Sequence, residues 1–144
     1  AAVVRAARAA GDYRELCLAG KSLGTLAMAE LIASDPDLAG ARTIWLTPLL
    51  RDERVGAALG RLDTPGLIVI GSEDPHHDPA LLADLQTGGH RVLVIAGAHH
   101  GLAIDGQAVA SAEIPGQLVA GVLDYLGEPI PGEGAPTTNE SARQ

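Results

Sequence analysis

The strongest constraint on the fold is a repeated alternation. Short segments that read as strands, at residues 14–19, 41–46, 67–70 and 91–96, are separated by segments of helical spacing at 22–34, at 52–62 and from Pro79 to the Gly88-Gly89 pair. Runs such as Leu67-Ile68-Val69-Ile70 and Val92-Leu93-Val94-Ile95 are apolar without a break, as in strands covered on both faces. Strands of that kind alternating with helices predict an α/β fold, a parallel sheet with helices on both faces. Right-handed crossovers bring every strand's carboxyl end to one edge, where such sheets bind ligands. The loops that matter are therefore those after Ala19, Leu46, Ile70 and Ala96.

The punctuation agrees with this reading. An alanine-rich stretch at 2–10, with Arg5 and Arg8, reads as a surface helix ended by Gly11-Asp12. The 22–34 segment carries Leu23, Leu26, Met28, Leu31 and Ile32, is apolar almost all round, and so predicts a buried helix. Val55, Ala58, Leu59 and Leu62 share one helical face, and Asp78-Pro79 is a helix-start signal. A last helix is predicted at 114–126, with Leu118, Val119, Val122, Leu123 and Leu126 as one stripe. From 127 to 144 proline, glycine, glutamate and threonine dominate, so the domain is 1–126 and the rest a disordered tail.

A length of 144 residues suits one domain. Phe is absent and only Trp45, Tyr13 and Tyr125 are aromatic, so packing rests on Ala, Leu, Val and Ile. The formal charge of −8 argues against nucleic acid and anionic membranes as partners. No apolar stretch is long enough to span a bilayer, and no signal-peptide core is seen. Cys17 has no partner for a disulfide, reads as a small buried hydrophobe, and makes a cytoplasmic setting the default.

Three of the four loops hold chemistry. Gly20-Lys21-Ser22-Leu23-Gly24 sits where a strand meets a helix, the placement of a nucleophile elbow. The turn is so tight that a Cβ at either flanking glycine is expected to collide with its neighbours. After the third strand comes Gly71-Ser72-Glu73-Asp74-Pro75-His76-His77-Asp78, and after the fourth Gly97-Ala98-His99-His100-Gly101-Leu102. A serine, a carboxylate and a histidine thus reach one edge in the chain order Ser, acid, His. The set has a chemical reason: a serine hydroxyl needs an imidazole to take its proton, and the carboxylate fixes that imidazole's tautomer. On position alone the acid is Asp74, Glu73, Asp78 or Asp52, and the base is His99 or His100.

With these motifs in place, the chain resembles the α/β-hydrolase superfamily, particularly small lidless members related to dienelactone hydrolases. The likeness rests on GKSLGT, TPLL, GSEDPHHD and GAHHGL and runs over residues 14–126, corresponding to the C-terminal half of that fold. It implies Ser22 as nucleophile, Asp74 as acid and His100 as base, with the Leu23 N–H as one oxyanion donor. It also implies hydrolysis of an ester or related acyl bond in a small-molecule substrate, without a cofactor. Thr47, Pro48 and Leu49 are expected to line the acyl pocket. The resemblance places a second oxyanion donor after an earlier strand, which this sequence does not contain. The expectation is therefore a fragment, or half of something that pairs, with the 14–19 strand as a bare edge that could join a second copy.

Other readings are weaker. Lys21 is expected to reach solvent rather than hold a substrate carboxylate. His76, His77 and Asp78 lack metal-ligand spacing, so no metal is expected. A phosphate-binding loop needs glycine where Glu15 stands. His90 is read as exposed. The alternative function is a catalytically inactive binding module that keeps the hydrolase core.

Overall fold

A computed structural model describes residues 2–11, 13 and 15–127. Its elements are α1 (Ala2–Ala9), β1 (Cys17–Lys21), α2 (Leu23–Ser34), β2 (Arg42–Leu46), α3 (Glu53–Leu59), β3 (Leu67–Gly71), α4 (Pro79–Thr87), β4 (Arg91–Ile95) and α5 (Ala108–Gly127). The four strands form one parallel sheet in the order β1-β2-β3-β4. Because each strand lies beside its predecessor, right-handed crossovers stack α2, α3 and α4 on one face. The α/β fold with helices on both faces is therefore present, and the two faces are unequal.

One core lies between the sheet and the helices α1 to α4. It joins Met28, Ala29 and Ile32 to Trp45, Val55, Leu59, Ile68, Ile70 and Leu82. The other lies under α5, where Ile44, Leu67, Val69 and Ile95 meet Ile114 and Tyr125. Full burial of aliphatic side chains such as these contributes about 1.5–3 kcal/mol each. Trp45 is fully buried and fills the volume for which the chain has no Phe.

Several boundaries and exposures differ from expectation. β1 begins at Cys17 and is not covered on both faces: Cys17, Ala19 and Lys21 are exposed. Their partners Arg42, Ile44 and Leu46 lie on the α5 side, and α5 packs over β3 and β4, leaving β1 bare on that side. Cys17 is accordingly exposed rather than a buried hydrophobe. The sheet ends at β1, as expected of that edge. α2 buries only one face, through Thr25, Met28, Ala29 and Ile32, while Leu23 is 73% exposed. α5 starts at Ala108, before the expected first residue, and includes Pro115. Its stripe divides: Ile114 and Tyr125 are buried with Leu118 and Val122 beside them, while Val119, Leu123 and Leu126 face outward. The expected tail from 127 on lies outside the described residues except for Gly127, the last residue of α5. Among the described residues no helix is long and apolar enough to cross a membrane.

His90 is the clearest correction. It is 7% exposed, not a surface residue. Its Nδ1 accepts the Gly66 N–H at 2.9 Å, and its Nε2 donates to the Leu59 carbonyl at 3.2 Å. Burial pushes its pKa below the usual histidine value, and the hydrogen bond to the Leu59 carbonyl opposes that shift only in part.

Candidate active site

The strand ends build the site one side chain at a time. Ser22 follows β1 directly and sits at φ 51°, ψ −117°, a conformation that non-glycine residues rarely adopt. Holding a residue there costs on the order of 1–3 kcal/mol, which its surroundings must supply. The Ser22 N–H donates to Leu46 O at 3.0 Å, anchoring the turn to β2. Gly20 makes the turn possible, since a Cβ there would lie 2.5 Å from Met28 Sδ and 2.8 Å from Gly24 O. Gly24 is different: a Cβ on it meets nothing within 4 Å. The expectation that both glycines are sterically required therefore holds for Gly20 alone.

The loop after β3 presents Asp74, whose side chain is 0% exposed. Its Oδ1 accepts the His76 N–H at 2.8 Å and its Oδ2 meets His100 Nδ1 at 2.8 Å. His100 comes from the loop after β4, and its Nε2 lies 2.8 Å from Ser22 Oγ. A carboxylate only accepts hydrogen bonds, so the arrangement puts the proton on Nδ1 and leaves Nε2 as the acceptor of the serine hydroxyl. Ser22, His100 and Asp74 thus form one continuous hydrogen-bonded chain drawn from three strand ends.

The rival acids are occupied elsewhere. Asp52 caps α3 and pairs with Arg54 at 2.8 Å; that hydrogen-bonded guanidinium lowers its carboxyl to about 2. Asp78 caps α4 through the Ala80 and Leu81 N–H groups. Glu73 is exposed, with Ser72 Oγ at 3.5 Å. His99 does not reach the serine. Its Nδ1 accepts the Gly101 N–H at 2.9 Å and its Nε2 lies 3.4 Å from Asp105, so it braces the loop that carries His100.

Other residues fall around this chain. Leu23 opens α2, so its N–H precedes the first intrahelical acceptor and is available beside the serine. Thr47 has φ 43° and is fully buried, as is Pro48; Leu49 is half-buried against the core. The His76 ring lies 5.8 Å from that of His100, centroid to centroid. Lys21 is exposed. Among the described residues no three His, Cys, Asp or Glu side chains gather as a metal site. Two contributors were not singled out in the sequence: Ser72, whose Oγ accepts the Gly97 N–H at 2.8 Å and ties the two loops, and Thr25, three residues past the serine.

No protein-family model matches the chain. ABHD14B of Rattus norvegicus, whose name gives protein-lysine deacylase as a proposed activity, is 32% identical over 105 residues. The match takes in 73% of this chain and 45% of the rat protein, so the chain spans under half of that relative's length. The fold is that of a partial α/β hydrolase. The match supports that superfamily, and the four parallel strands with helices on each side of them are the part of such a fold that this chain has.

Proposed function

We propose that the chain is a serine hydrolase that cleaves an acyl bond through an acyl-serine intermediate. The observation that carries this reading is the pair of 2.8 Å hydrogen bonds running from Ser22 Oγ through His100 to Asp74. Ser22 Oγ attacks the carbonyl carbon as its proton passes to His100 Nε2. Asp74 holds the imidazole in the tautomer with Nδ1–H and stabilises the imidazolium that forms. The Leu23 N–H donates to the oxyanion, helped by its place at the start of α2, where the helix dipole favours negative charge. His100 then returns the proton to the leaving group, whose bond to the acyl carbon breaks. Water, deprotonated by the same nitrogen, attacks the acyl-serine, frees the acid and restores the hydroxyl.

The motifs GKSLGT, GSEDPHHD and GAHHGL favour a small, lidless, dienelactone-hydrolase-related type. The name of the rat relative extends the substrate range from esters to acylated lysine. Leu49, half-buried beside the rim, is the residue of the 47–49 loop with surface left to meet an acyl chain.

A fluorophosphonate probe tests the reading, because it phosphonylates only a serine made nucleophilic by its base. The protein takes the label, and Ser22→Ala and His100→Ala each abolish it while remaining folded by circular dichroism. A folded wild-type protein that stays unlabelled overturns the proposal.

A further inference from the structure

Thr25 lies on α2 one turn beyond Ser22 and has no exposed surface. Its N–H and its hydroxyl both donate to the Ser22 carbonyl, at 2.9 Å and 2.6 Å. The same hydroxyl oxygen accepts the Leu49 N–H at 3.3 Å. Ser22 is therefore held on both sides. Its N–H is fixed by Leu46 O, the last carbonyl of β2, and its carbonyl by Thr25. Through Thr25 that carbonyl is linked to the loop after β2, where Thr47 is itself at positive φ. One buried hydroxyl thus ties the strained Ser22 to Leu49, two residues past the strained Thr47.

We infer that Thr25 is a positioning residue that clamps the serine turn to the 47–49 loop, an inference that rests on the hydrolase reading above. The unusual ψ of Ser22 fixes where its carbonyl points, and the side-chain rotor that must meet His100 Nε2 at 2.8 Å stands on that same residue. Losing the hydroxyl's hold on that carbonyl and its tie to Leu49 leaves only the Thr25 N–H to fix it, so the turn relaxes and Oγ moves off the imidazole. Thr25→Val keeps the shape of threonine and the backbone N–H donor to Ser22, removes the shorter hydroxyl donor, and takes away the acceptor of the Leu49 N–H. A serine keeps the hydroxyl and removes only the methyl group.

The test compares fluorophosphonate labelling rates of wild type, Thr25→Val and Thr25→Ser, with amide hydrogen exchange at Leu49 read in the same samples. Thr25→Val labels on the order of 10²-fold more slowly, the loss expected when a reacting group is displaced by about 1 Å. Thr25→Ser labels close to the wild-type rate. The Leu49 amide is protected in wild type and Thr25→Ser and exchanges freely in Thr25→Val. Should Thr25→Val not fold, Thr25→Ala takes its place in both measurements. Three outcomes overturn the inference alone: Thr25→Val labelling as fast as wild type, Thr25→Ser as slow as Thr25→Val, or a Leu49 amide equally protected in all. A folded wild type that takes no label removes the hydrolase reading, and the clamp's role in reactivity falls with it.

Discussion

His90 and His100 flank the same strand, one before β4 and one in the loop that follows it, and each uses both ring nitrogens. Their partners differ in kind. His90 is held by a backbone N–H and a backbone carbonyl, groups that change nothing at ordinary pH, and it is 7% exposed. His100 lies between a buried carboxylate and a serine hydroxyl, with a third of its side chain open to solvent. Burial opposes a charge on His90, whereas Asp74 is poised to stabilise one on His100. The same side chain is a structural clamp at one end of the sheet and a proposed proton carrier at the other. Partner chemistry and access decide which, and neither is visible in the residue type.

The sharpest way to break the contrast is to remove the carboxylate. In Asp74→Asn the amide can donate to His100 Nδ1, which puts the ring proton on Nε2, where it cannot take one from Ser22. Turnover of a p-nitrophenyl ester should fall about 10⁴-fold with Tm little changed. A loss of tenfold or less would mean that Asp74 does not set the tautomer, and would return the acid role to another residue.

The second break separates the two glycines of the serine turn. Gly20→Ala drives a methyl group into Met28 Sδ and Gly24 O and should destabilise by about 1–3 kcal/mol in urea unfolding. It should also slow labelling, because the turn that lifts Ser22 must shift. Gly24→Ala points into open space on a helix and should change stability by no more than about 0.5 kcal/mol. Equal costs for the two would contradict the packing at this turn.

The pentapeptide pattern treats its two glycines as equals, and only the packing of Met28 against the turn separates them. The same limit runs through the chain. Short apolar-rich segments alternating with helical ones revealed all four strands, and with them the rim that collects Ser22, Asp74 and His100. Asp52 and Asp78 stayed open as acids in the sequence because their capping of α3 and α4 uses the same carboxylate that a triad would need. β1 read as covered because apolarity shows suitability for burial, not the presence of a helix above it; α5 packs elsewhere. The start of α5 was hidden by Pro115, which reads as the first turn of a helix but stands inside this one. Thr25 and His90 carried no pattern at all, since their roles lie in single contacts to distant backbone groups.

His90 gives the smallest predicted effect and the one that most directly sharpens the comparison. Its pKa is lowered in the folded state by burial, so the unfolded chain binds a proton more readily. Its contribution to stability is therefore complete above the ordinary histidine pKa of about 6.5 and is lost as pH falls from there through the depressed folded value. Protonation also places a second N–H on the ring where Gly66 already donates, so the acid form breaks that bond. Urea midpoints measured from neutral pH downward should fall more steeply for wild type than for His90→Asn, which cannot titrate. The Asn variant should be less stable at neutral pH, and the two curves should converge on acidification. Other carboxylates and imidazoles contribute equally to both proteins and cancel in that difference. Parallel curves would show that His90 keeps its partners when charged, and the distinction between the two imidazoles would then rest on access to solvent alone.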